Sequence, residues 1–71
     1  MRKTKKEDVK QLTKDFVGYG HYKLNVATED GRVLSAVTGD TELISRLDSE
    51  LGSEQEQARG EAIEFVLSEN Q

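Results

Sequence analysis

Seventy-one residues make one small domain that buries only about 60% of the surface its unfolded chain exposes. With 34% hydrophobic residues, a net charge of −4 and no Cys, the chain has a thin core, no disulfide framework and no Cys-based zinc staple. No run approaches the length of an apolar membrane span, and the basic start Met1-Arg2-Lys3-Thr4-Lys5-Lys6 lacks the apolar stretch of a signal peptide, so a cytoplasmic location is expected.

Charge is unevenly distributed along the chain. Residues 1–14 hold Arg2, Lys3, Lys5, Lys6, Lys10 and Lys14 against Glu7 and Asp8. Residues 40–71 hold nine acids against Arg46 and Arg59. The molecule is polarised between a basic start and an acidic end.

In chain order, Val9, Leu12, Phe16 and Val17 follow the i, i+3, i+7, i+8 spacing of an amphipathic helix over Lys5 to Val17. Thr4 and Glu7 match a capping box, and Gly18 matches a left-handed stop. Residues 1–4 are expected to fray.

Two β-rich runs follow, Tyr22 to Thr28 and Arg32 to Thr38, joined at Glu29-Asp30-Gly31-Arg32, a strong hairpin signal. The register has two solutions. A two-residue turn at Asp30-Gly31 places Tyr22, Leu24 and Val26 on one face with Val33, Ser35 and Val37. A bulge at Gly31 places them with Leu34 and Ala36 instead.

Asp40 or Thr41 begins a second helix whose apolar face is Leu43, Ile44, Leu47 and Leu51, closed by Gly52. Ser53 and Glu56 form a capping-box pattern that opens a third, running to about Ser68. Its arc of Ala58, Ala62, Ile63, Phe65, Val66 and Leu67 is the expected centre of the core. Gly60 interrupts this helix and reads as a surface glycine or as the mark of a kink or a partner's approach. The expected fold is therefore α+β over residues 1–71: a helix, a two-stranded antiparallel hairpin, then two helices packed on it.

Candidate chemistry is sparse. His21 is the single histidine, at the mouth of the hairpin, with no second group at a catalytic or metal-binding spacing. No Ser or Thr stands in a nucleophile motif. Glu61 and Glu64 lie one helical turn apart, but no oxygen-rich calcium loop accompanies them. Gly18-Tyr19-Gly20-His21 and Thr38-Gly39-Asp40-Thr41 lack the residues of a phosphate-binding loop and read as turns. The expectation is a non-enzymatic protein with no catalytic, metal or cofactor site.

What remains are surfaces. Tyr19, His21 and Tyr22 form a polar-aromatic cluster beside two glycines, the expected contact with another protein or with a second copy. Arg2, Lys3, Lys5 and Lys6 form a basic arm, the basis of an alternative nucleic-acid-binding reading. The acids of residues 40–71 admit the reverse idea, a mimic of nucleic-acid phosphates. A small interaction or regulatory domain is the leading expectation.

Overall fold

The computed structural model describes residues 4–70. A single 3₁₀ turn, Lys6–Asp8, leads into β1 (Val9–Gly18), β2 (His21–Thr28), β3 (Val33–Thr38), α1 (Thr41–Leu47) and α2 (Gly52–Glu69). The strands form one antiparallel sheet in the order β1-β2-β3. The expected fold of a helix followed by a two-stranded hairpin is thus corrected: the first long element is a strand, and the sheet has three strands.

The misreading has an identifiable cause. Pairing between β1 and β2 shifts register between Val9 and Gln11 and again between Phe16 and Gly18. Each shift inserts an extra residue into β1 and carries the side chains after it to the opposite face. Val9 and Leu12 therefore both approach the core although they are three residues apart, which imitates helical spacing. Neither the capping box nor the helix stop forms. Thr4 is buried and accepts a hydrogen bond from Arg32 Nη2 at 2.7 Å. Asp8 caps the 3₁₀ turn by accepting from the Lys5 amide at 3.0 Å. Gly18, with φ +99°, enters a hairpin turn rather than ending a helix.

Between β2 and β3 the bulged register is the one adopted, pairing Leu24 with Ala36 and Val26 with Leu34. The Gly31 amide donates to the Thr28 carbonyl at 3.1 Å and Gly31 takes φ +88°, a conformation glycine adopts without a side-chain clash. One face of the sheet thus carries Leu12, Lys14 and Phe16 from β1, Tyr22, Leu24, Val26 and Thr28 from β2, and Leu34, Ala36 and Thr38 from β3. Both helices lie on this face.

Asp40 caps α1 by accepting from the Leu43 amide at 3.1 Å. The helix ends at Leu47, so Leu51 leaves the expected apolar face and is exposed at the N-cap of α2. Gly52 opens α2 instead of closing α1, which places Ser53 and Glu56 within the helix rather than at its N-cap, and no side chain caps it. Ala58, Ala62, Ile63, Val66 and Leu67 of α2 meet Leu24 and Val26 of β2 and Leu43 and Ile44 of α1 in the buried core. Phe65 packs at its margin. A Cβ placed on Gly60 would meet Lys6 Nζ at 3.4 Å, so this glycine lies where the 3₁₀ turn crosses α2.

Candidate functional site

The turn joining β1 to β2 is built from Gly18, Tyr19 and Gly20, all with positive φ (+99°, +54° and +73°). Positive φ at both central residues, Tyr19 and Gly20, is the requirement of the mirror-image turn whose twist matches an antiparallel hairpin. Glycine meets it without strain; tyrosine does not, at a cost of about 1 kcal/mol or more. The Tyr19 side chain recovers nothing by burial, because it is 100% exposed.

The other aromatics follow from the pleat. Phe16 and Tyr22 are cross-strand partners on the helix side of the sheet, with ring centroids 5.3 Å apart and planes at 63°. This edge-to-face contact leaves Tyr22 half-buried against the core and Phe16 64% exposed. Val17, in the second bulge, is also exposed. The end of the hairpin thus presents Phe16, Val17 and Tyr19 to solvent.

His21 is exposed and braces this end. Its Nδ1 donates to the Tyr19 carbonyl at 2.9 Å, and its ring lies against Gly39, where an added Cβ would stand 3.1 Å from Nε2. The imidazole links the hairpin turn to the segment before α1. Of the three expected contact residues, Tyr19 is the most outward, His21 supports it from behind, and Tyr22 is partly core. Phe16 and Val17 were not expected here, because a helical reading assigns both to a buried stripe. Their place after the outward-turned Asp15, immediately before Gly-Tyr-Gly, is the signal that a strand reading would have used.

Of the basic arm, Lys5 and Lys6 fall within the described residues. Arg2 and Lys3 lie outside the described residues, Lys5 is exposed beside the 3₁₀ turn, and Lys6 pairs with Glu64 of α2 at 2.9 Å. Lys14 pairs with Asp48 at 3.1 Å. Glu61 is engaged by Arg46, whose guanidinium hydrogen bond holds its carboxyl below the usual carboxylate range. Glu61 and Glu64 thus serve two separate ion pairs. Among the described residues no group of three or more His, Asp or Glu side chains is arranged to hold a metal ion.

A concavity of about 330 Å³ runs between β1 and α2, with Leu12, Lys14, Leu47, Gln55 and Arg59 in its walls. Another, about 250 Å³, is lined by Asp8, Glu29, Asp30 and Arg32. In the latter, Asp30 accepts from the Thr28 hydroxyl and from Arg32 Nε, and these bonds hold its carboxyl below its ordinary range. The Thr28 hydroxyl also accepts from the Arg32 amide at 3.0 Å. These interactions tie the β2–β3 turn together.

Comparison with known proteins finds no matching family model, no similar curated protein and no similar solved structure. Among the described residues no helix is long and apolar enough to cross a membrane.

Proposed function

We propose that this chain is a non-enzymatic, cytoplasmic protein-binding domain that engages its partner through the end of the β1–β2 hairpin. The carrying observation is Tyr19: a large side chain wholly in water, on a backbone conformation that disfavours it. The Tyr19 side chain gains nothing by burial, and strain retained at an exposed position points to a use outside the fold. Tyrosine supplies a rigid apolar ring and a hydroxyl, the combination favoured at the centre of protein interfaces. Phe16 and Val17 extend the apolar surface beside it. The partner is a protein offering a concave apolar pocket with a hydrogen-bond acceptor for the phenol.

The non-enzymatic part of the reading rests on His21, whose ring is committed to Tyr19 and Gly39. Nucleic-acid binding is the weaker reading, since Lys6 and Lys14 already face carboxylates. The test is capture of partners from a lysate of the source cell, with and without nuclease, using the native chain and Tyr19→Asn. Asparagine tolerates the left-handed conformation, so this variant keeps the fold. A protein captured by the native chain after nuclease, and lost with Tyr19→Asn, supports the proposal. Capture that depends on nucleic acid, or that ignores Tyr19, overturns it.

A further inference from the structure

The two free edges of the sheet are unlike. β1 carries Lys10 and Lys14 and is broken by two register shifts, features that keep one sheet from pairing with another. β3 reads Val-Leu-Ser-Ala-Val-Thr, with no charge and no proline, and pairs with β2 without a register shift from Val33 to Thr38. Val33 and Val37 are 67% and 53% exposed on the face away from the helices.

The phase of the ladder tells which backbone groups are outward. The Thr28 amide donates to the Arg32 carbonyl at 2.9 Å. Antiparallel bonding alternates along a strand, so Leu34 and Ala36 direct their backbone groups to β2, while Val33, Ser35 and Val37 direct theirs to the free edge. The Ser35 carbonyl agrees with this phase, because it accepts from outside the sheet. Its donor is Asn70 Nδ2, 3.0 Å away, which also donates to the Val66 carbonyl at 2.8 Å. Asn70, the C-cap of α2, thus clasps the middle of this edge.

We propose that β3 pairs antiparallel with β3 of a second copy about a two-fold axis at Ser35, joining two sheets into one of six strands, and that the Asn70 clasp opposes this pairing. The second copy is the occupant because the edge is its own complement. A two-fold at Ser35 places Val33 opposite Val37 of the second copy, Leu34 opposite Ala36, and Ser35 opposite itself. Val33, Ser35 and Val37 are the three residues with outward backbone groups, so each opposed pair among them exchanges two bonds. The absence of charge on the strand removes direct like-charge opposition between two copies of an acidic protein. This surface is separate from the hairpin end, and the inference does not depend on Tyr19.

The experiment is sedimentation combined with residue-resolved amide exchange, from micromolar to millimolar protein, for the native chain, Asn70→Ala, and Asn70→Ala with Val33→Lys and Val37→Lys. Loss of two competing hydrogen bonds, one from each copy, should tighten association about five- to a hundredfold in Asn70→Ala. The Val33 and Val37 amides should gain protection as concentration rises. The lysine variant should remain folded by circular dichroism and become monomeric, since both valines are exposed. Asn70→Ala that stays monomeric at millimolar concentration, or that associates without protecting those two amides, overturns the proposal. Tyr19→Asn should leave the association unchanged, so failure here and failure at the hairpin end are distinguishable.

Discussion

The two hairpins of this sheet share β2 and reverse the chain in opposite ways. At the β2–β3 turn Thr28, Asp30 and Arg32 bond to one another, Arg32 reaches Thr4, and the Glu29 amide donates to the Asp8 carbonyl at 2.9 Å. Its left-handed residue is glycine. At the β1–β2 turn a left-handed position is given to tyrosine, and three large apolar side chains stand in water. The β2–β3 turn is tied by side-chain hydrogen bonds, whereas the β1–β2 turn holds a strained residue beside exposed apolar side chains.

Four experiments sharpen or break this contrast. Thr28→Val removes a hydroxyl from a residue only 3% exposed and strands the Arg32 amide. A loss of about 2 kcal/mol is expected, a fall in Tm of roughly 8–16 °C in a domain of this size, measured by thermal melting. An unchanged Tm would show that water replaces the hydroxyl and that the β2–β3 turn is no more consolidated than the other.

At the β1–β2 turn the expected signs are opposite for folding and binding. Tyr19→Asn should leave stability unchanged or raise it by up to about 1 kcal/mol, since the left-handed strain is relieved. Affinity for a captured partner should fall at least about tenfold, or 1.4 kcal/mol. Clear destabilisation in urea titration would mean that the ring supports the fold.

Gly31→Ala introduces a side chain at φ +88° and should cost about 1 kcal/mol, although nothing lies within 4 Å of the added Cβ. An equal Tm would imply that the turn changes type without penalty.

The smallest effect is the acid response. Asp30 is held below its ordinary pKa by Thr28 first and then by Arg32. A carboxylate depressed in the folded state contributes stability that is present above its unfolded pKa, about 3.9, and is lost as pH falls through the lower folded value. Asp30→Asn should therefore reduce the loss of stability below about pH 4 while leaving Tyr19-dependent binding intact. Glu61, depressed by Arg46, follows the same sign and remains in the variant, so some acid dependence persists.

Much of the fold was legible in the residues. Asp40 announced α1, the arc from Ala58 to Leu67 announced the packed face of α2, and the β-rich runs at either side of Asp30-Gly31 announced β2 and β3. Tyr19 was a candidate contact residue from its glycine neighbours, and the structure shows that its side chain is exposed; the exposure of Phe16 and Val17 beside it was not foreseen. Their spacing from Val9 and Leu12 satisfied a helical period, and the two bulges responsible for that spacing exist only when β1 is paired with β2.

By itself, the sequence determined that the chain reverses between Thr28 and Arg32, the Asp40 cap of α1 and the packed arc of α2, because each depends on residues within a few positions of one another. Tertiary structure decided that residues 9–18 are a strand, that the Gly31 bulge sets the register, and that Ser35 and Asn70 meet across 35 residues. Those choices turn on hydrogen bonds and burial between distant segments. The local preference of Lys5 to Val17 for a helix yields once β2 and the core stand beside it.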